Sequence, residues 1–80
     1  MEILEIYPKL TTIFHDVFSD DSIVLRPDLS AKDVDDWDSL THIRLILTVE
    51  RVFDLKFSAS DIGKLKNVAE LADLIRLKTN

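Results

Sequence analysis

Eighty residues with no cysteine limit what this chain can be. We expect a single domain over residues 1–80 with a small interior, because a chain of this size buries only about 60 % of its unfolded surface. The chain has no thiol of its own, so disulfides, thiolate metal sites and a sulfur nucleophile are excluded. A net charge of −5 disfavours nucleic acid and favours partners with basic faces, and one glycine with two prolines favours helices over a β-sandwich.

The N-terminal segment, residues 1–7, does not resemble a secretory signal. It contains Glu2 and Glu5, whereas a signal peptide begins with basic residues. No apolar run approaches the roughly 20 residues that span a bilayer. We therefore expect a cytoplasmic protein, without a membrane span and monomeric.

An amphipathic helix is predicted first, within residues 3–18. Pro8 lacks a backbone N–H and is tolerated best in a first turn, so either the regular helix begins around residues 6–8 or an earlier turn is kinked at Pro8. We expect the helix to begin near Glu5. The segment Ser19 to Ser22 is typical of a turn. The apolar residues that recur at helical spacing are Ile3, Tyr7, Leu10, Ile13, Phe14, Val17 and Phe18.

A long irregular loop is predicted from Ser22 to Asp38. It has no helical period, and Pro27 holds the residue before it in extended geometry. The segment Ser30 to Asp33 has the form of a capping box and predicts one short turn. The side chains expected to anchor the loop on a helical core are Ile23, Leu25, Leu29, Val34 and Trp37.

The second helix is predicted from Ser39 to about Phe53. Either Asp38 or Ser39 can accept hydrogen bonds from the free N–H groups of its first turn. Its apolar residues spread over much of the circumference, which indicates a central helix, a surface kept for a partner, or both. These residues are Leu40, Ile43, Leu45, Ile46, Leu47, Val49, Val52 and Phe53.

Two further helices complete a predicted all-α four-helix bundle with three long helices and a short third one. The capping-box pattern Ser58 to Asp61 opens the third helix, and Gly63 is expected to help end it. The pattern Asn67 to Glu70 opens the fourth helix, predicted from Val68 to about Leu77. Its apolar face consists of Val68, Leu71, Ala72, Leu74 and Ile75.

Ser39 and His42 lie three residues apart and share a helical face, an arrangement that a hydrolase could use. A serine nucleophile also needs an orienting acid and an oxyanion hole in a water-excluding pocket, and a bundle this small has little room for them. We therefore expect no catalytic residue, and interpret His42 as solvated. His15 is expected on the surface of the first helix, because no partner stands at metal-binding spacing.

Four aspartates between residues 33 and 38 invite comparison with a calcium-binding loop. Counted from Asp33, the sixth position is Asp38 where glycine is required, and the twelfth is Arg44 where glutamate is required. The pattern fails, so we expect a solvated acidic loop and no metal.

The motif Asp38-Ser39-Leu40, at the start of a long second helix midway along an acidic chain, resembles that of the acyl carrier protein family. The stretch Trp37 to Asp54 resembles the recognition helix of that family, and Asn67-Val68 follows at similar spacing. The resemblance covers nearly the whole chain and is most convincing from Asp36 to Ile75.

The resemblance implies that Ser39 carries a 4′-phosphopantetheine arm, added from coenzyme A by a phosphopantetheinyl transferase, and that Asp38 helps to orient the serine. The arm would hold acyl groups as thioesters for loading, condensing and transferring enzymes. Within this interpretation, the residues expected to dock partners are Leu40, Ile43, Arg44, Leu47, Glu50 and Arg51. Those expected to line an acyl cleft between the second helix and the last two are Ile46, Ile62, Leu65 and Leu71.

The charge of the second helix departs from the strongly acidic helix of carriers in fatty acid synthesis. Arg44 and Arg51 face outward and Glu50 is the only acid within the helix. This mixed charge, with Trp37 before the motif, is more similar to carriers of polyketide, nonribosomal peptide or related pathways. The alternative is a non-catalytic helical adaptor that binds a partner protein through the same apolar face.

Overall fold

The computed structural model describes residues 1–79 and places four α-helices within them. Helix α1 spans Ile3–Phe18, α2 spans Ser39–Phe53, α3 spans Ala59–Lys64 and α4 spans Val68–Lys78. The predicted all-α architecture, with a long loop after α1 and a short third helix, is confirmed. Helix α1 packs against both α2 and α4, and these three helices enclose the apolar core.

Helix α1 begins two residues earlier than predicted. The N–H groups of Glu5 and Ile6 both donate to the carbonyl of Glu2, which closes a turn before Pro8 is reached. Pro8 therefore lies inside the helix and leaves the carbonyl of Leu4 without its helical donor. Both residues are exposed, so water can reach that carbonyl. The prediction failed because it treated proline as a boundary even at a solvated position.

The long loop is held to the core by apolar side chains, as predicted. Leu29 and Trp37 are buried, and Ile23, Leu25 and Val34 are partly buried against the core.

The loop is also fixed to α4 through its backbone. The carbonyl of Pro27 accepts from Ala69 N–H at 2.9 Å, and that of Leu29 accepts from Val68 N–H at 3.0 Å. These bonds satisfy two donors in the first turn of α4, which a helix end would otherwise leave unpaired. The side chain of Asn67 caps a third, the N–H of Glu70, at 2.9 Å.

The ends of α3 and α4 confirm part of the predicted pattern. Ser58 and Asp61 form the predicted reciprocal capping box. Gly63 was wrongly expected to end α3. It lies inside the helix without a positive φ, and Leu65 is the residue that follows the last turn. Helix α4 extends to Lys78, one residue beyond the prediction.

Candidate functional site

The N-terminus of α2 is capped by Asp38, which resolves the choice between Asp38 and Ser39. Oδ1 of Asp38 accepts from the N–H of Leu40 at 3.1 Å and from that of Thr41 at 3.0 Å. The hydroxyl of Thr41 accepts in return from the N–H of Asp38 at 2.8 Å. These hydrogen bonds, led by that from the Thr41 N–H, lower the pKa of Asp38 below its usual value. The carboxylate is therefore ionised at neutral pH, and it accepts hydrogen bonds from the first turn of α2.

Ser39 is the first residue of α2, and its side chain is exposed. Because Asp38 satisfies the first turn, the hydroxyl of Ser39 is not needed as a cap. A phosphate on this hydroxyl would lie at the end of the helix where the macrodipole favours anions by about 0.3 to 1 kcal/mol. Ser39 is therefore suited to carry a phosphate-linked arm, because its hydroxyl is exposed and the electropositive N-terminus of α2 favours the phosphate.

A shallow cleft of about 500 Å³ lies beside Ser39. Its walls come from the long loop, the first turn of α2, α3 and the connection to α4. The residues that line it are Ala31, Trp37, Asp38, Ser39, His42, Ile62, Gly63, Leu65 and Lys66. Ile62 and Leu65, two of the four predicted cleft residues, are thus placed next to Ser39. The other two, Ile46 and Leu71, are 1 % and 2 % exposed and lie in the core.

His42 is half-buried in the wall of this cleft, so the expectation of a solvated side chain was wrong. Nε1–H of Trp37 donates to Nδ1 of His42 at 3.1 Å, and Nε2 of His42 lies 3.4 Å from the carbonyl oxygen of Ile62. Both ring nitrogens are therefore engaged away from Ser39. Sequence reasoning missed this role because Trp37 was considered as a core anchor and as an indication of the pathway, but not as a hydrogen-bond donor.

The outward face of α2 carries an apolar stripe formed by Leu40, Ile43 and Leu47. Their side chains are 71 %, 54 % and 59 % exposed, although large apolar side chains are usually covered. Arg44 and Arg51 are exposed on the same helix. The structure thus brings five of the six predicted docking residues to the surface of α2.

The sixth predicted docking residue, Glu50, has a different contact. It is half-buried, and its Oε2 accepts from the N–H of Phe57 at 2.8 Å. This bond ties the end of α2 to the segment that leads into α3. Among the charged side chains of α2, Arg44 and Arg51 are therefore exposed, whereas Glu50 is bonded to the backbone of Phe57.

Within residues 1–79, no helix is long and apolar enough to cross a membrane. In the same part of the chain, histidine and carboxylate side chains form no group of three or more that could hold a metal ion.

Residues 8–75 match the family model described as "Phosphopantetheine attachment site". The matched span is most of the chain, so this protein belongs to the phosphopantetheine-binding carrier family. A search of the curated proteins gave no match.

The fold and sequence are also similar to a solution NMR structure of a holo acyl carrier protein from Geobacter metallireducens. The two share 49 % sequence identity with a TM-score of 0.87, over 91 % of this chain and 84 % of the other. The protein is accordingly a non-catalytic carrier, and its cofactor is covalently attached 4′-phosphopantetheine. The resemblance to acyl carrier proteins inferred from Asp38-Ser39-Leu40 is confirmed.

Proposed function

We propose that this protein holds acyl intermediates as thioesters on a 4′-phosphopantetheine arm joined to Ser39. In the loading reaction the hydroxyl oxygen of Ser39 attacks the β-phosphorus of coenzyme A and forms a phosphodiester. The bond from that phosphorus to 3′,5′-ADP breaks, and a base of the transferase takes the hydroxyl proton. The arm then supplies the thiol that the chain lacks.

The observation that carries this proposal is an exposed serine at the first position of α2 whose capping role is filled by Asp38. The test is intact mass after incubation with coenzyme A, Mg²⁺ and a phosphopantetheinyl transferase of broad specificity. Wild type should gain one arm and Ser39→Ala none. The variant should keep its free energy of unfolding within about 0.5 kcal/mol, because it removes no cap. Equal gain by both proteins, or by neither, contradicts the proposal.

The arm and its cargo are proposed to lie over the cleft beside Ser39, with Ile62 and Leu65 as its apolar wall. Ile46 and Leu71 lie deeper and would be reached only by a longer cargo that parts the helices. Backbone amide shifts of ¹⁵N-labelled protein test this with acyl chains of increasing length. Residues 62–66 should respond to short chains, and the deeper pair only to long ones. Unchanged shifts at residues 62–66 for every chain length would place the cargo in solvent.

The stripe Leu40, Ile43 and Leu47 is proposed as the surface that docks the transferase and the loading, condensing and transferring enzymes. Arg44 and Arg51 beside it favour partners with carboxylates around an apolar patch, by charge complementarity.

The loading reaction provides a docking assay. Ile43→Ser should raise the KM of the transferase for the carrier by about tenfold with a smaller change in kcat, since removal of a large apolar side chain from an interface weakens binding. Val24→Ser is the matched control, because Val24 is 72 % exposed but lies in the loop between α1 and α2. Equal KM values for the two variants would reject α2 as the docking surface.

We propose a place in polyketide, nonribosomal peptide or related biosynthesis, which the mixed charge of α2 supports. We also propose that residues 1–80 act as one monomeric carrier domain in the cytoplasm. Fatty acid synthesis is the competing pathway. The two kinds of pathway are distinguished by the rates at which aminoacyl- or acyl-loading enzymes load the holo protein. Efficient malonyl loading and elongation by fatty acid synthesis enzymes alone would favour the competing pathway.

A helical adaptor using the same apolar stripe is the alternative. An adaptor should carry no pantetheine when it is purified from cells that contain the transferase. Intact mass of that preparation therefore separates the two functions.

A further inference from the structure

His42 lies between two hydrogen-bonding partners of fixed and opposite character. The indole N–H of Trp37 can only donate, and the carbonyl of Ile62 can only accept. Nδ1 of His42, 3.1 Å from the indole nitrogen, must therefore present a lone pair. Nε2, 3.4 Å from the carbonyl oxygen, must carry the hydrogen. These contacts require one neutral tautomer of His42.

The relative orientation of the two rings supports this assignment. The indole and imidazole planes differ by 19°, with centroids 6.2 Å apart. An N–H and a ring-nitrogen lone pair both lie in the plane of their ring, so nearly parallel planes with the two nitrogens 3.1 Å apart let the indole N–H point toward that lone pair.

The donor on one side of His42 is fixed by the core. Trp37 is 9 % exposed, and its ring meets Phe14 edge-on at 5.4 Å and Phe18 at 6.0 Å between centroids. The position of the indole N–H is thus set by packing between the loop and α1, and His42 is held against a fixed point.

The acceptor on the other side belongs to a weakly held element. Helix α3 has six residues and none of their side chains is buried. Ile62 is partly buried against the core, and an ion pair from Lys78 to Asp61 at 3.3 Å, near the surface, also ties α3 to the bundle. His42 therefore links a fixed anchor to a short helix with one apolar side chain partly buried against the core, in the wall of the cleft beside Ser39.

We propose that neutral His42 is a positioning residue that clamps α3 against α2 and so sets the shape of the cleft beside Ser39. Without the hydrogen bonds to Trp37 and Ile62, the α3 wall is released. The consequence for cargo rests on the proposed carrier function. The clamp itself belongs to the unloaded chain and can be measured without the arm.

The other histidine provides a control. Nε2 of His15 lies 2.8 Å from the carbonyl oxygen of Ile23. This contact joins α1 to the loop that follows it, so replacing His15 leaves the contacts of His42 with Trp37 and Ile62 in place.

The test uses the unloaded protein, in which Trp37 is the only tryptophan. Its emission reports whether the indole N–H is hydrogen-bonded to Nδ1 of His42. His15→Gln should leave the emission at that of wild type. His42→Gln, which retains an acceptor and a donor, should stay close to wild type, whereas His42→Phe should show altered emission. Equal emission in His42→Phe and wild type overturns the proposal.

Two NMR measurements separate a clamp from a merely structural histidine. At pH 8 the ring nitrogens of His42 should report the Nε2–H tautomer. Amides of residues 62–64 should exchange about five to ten times faster in His42→Phe than in wild type, as loss of one hydrogen bond predicts, and His42→Gln should restore most of the protection. The Nδ1–H tautomer, or equal exchange in all three proteins, contradicts the clamp. Neither result depends on whether Ser39 is loaded, so the proposed carrier function is tested separately.

Discussion

Replacing Glu50 with alanine tests whether this residue holds the structure or docks partners. The carboxylate accepts from the N–H of Phe57 at 2.8 Å, and Phe57 is buried, so its amide has restricted access to other acceptors. A buried donor left unsatisfied costs about 1 to 3 kcal/mol. Because Glu50 is half-buried, water can partly replace its carboxylate as the acceptor. The free energy of unfolding should therefore fall by about 1 to 2 kcal/mol. For a domain of this size the melting temperature should fall by roughly 4 to 16 °C.

Urea unfolding measures this loss directly. With a slope of about 1 kcal/mol/M, the midpoint of Glu50→Ala should fall by roughly 1 to 2 M. Glu50→Gln keeps a carbonyl acceptor and should lose less than half as much. Arg51→Ala removes an exposed neighbour and should stay within about 0.5 kcal/mol. If Glu50→Ala were as stable as Arg51→Ala, the bond to Phe57 would not support the fold, and Glu50 would return to the docking surface.

Other substitutions test the core and the caps. Phe53, at the end of α2, is 6 % exposed, so Phe53→Ala should cost about 3 to 5 kcal/mol in urea unfolding, and an unchanged midpoint would refute its burial. Gly63→Ala should stabilise the protein by about 0.5 to 1 kcal/mol, since the helical position is open and glycine is a poor helix former; a loss of stability would show a hidden contact. The pKa of Asp38 is lowered on folding, so its stabilising contribution is full above the unfolded pKa and is lost as the pH falls through the folded one. The free energy of unfolding of Asp38→Asn should therefore fall less steeply than that of wild type as the solution is acidified. The same acid dependence in both proteins would count against Asp38 as the cap.

Much of the fold was predictable because apolar periodicity and capping residues agree along the chain. The boundaries of α2 and the capping box at Ser58 follow from patterns that span only a few residues. The start of α1 was not predictable in this way, because tolerance of Pro8 depends on its exposure, which is a property of the packed molecule. The end of α3 was not predictable either, because Gly63 is helical although its residue type suggested that the helix ends there.

The site shows a similar division. The motif at Ser39 is local, and the family it indicates is confirmed. The hydrogen bonds of His42 and Glu50 were missed because their partners include a carbonyl and an amide of the backbone, which leave no signature in residue identity. Ile46 and Leu71 were grouped with the cleft because the family resemblance places a cleft between these helices but does not tell a core residue from one that lines an opening.

Localisation of the arm by peptide fragmentation tests the central claim most directly. Wild-type protein loaded from coenzyme A is digested and fragmented, and the phosphopantetheine mass is assigned to a residue. The arm should be found on Ser39 alone, with Ser30, Ser58 and Ser60 unmodified as internal controls. An arm on any of these serines, or a second arm elsewhere, would contradict the assignment of Ser39 as the attachment site.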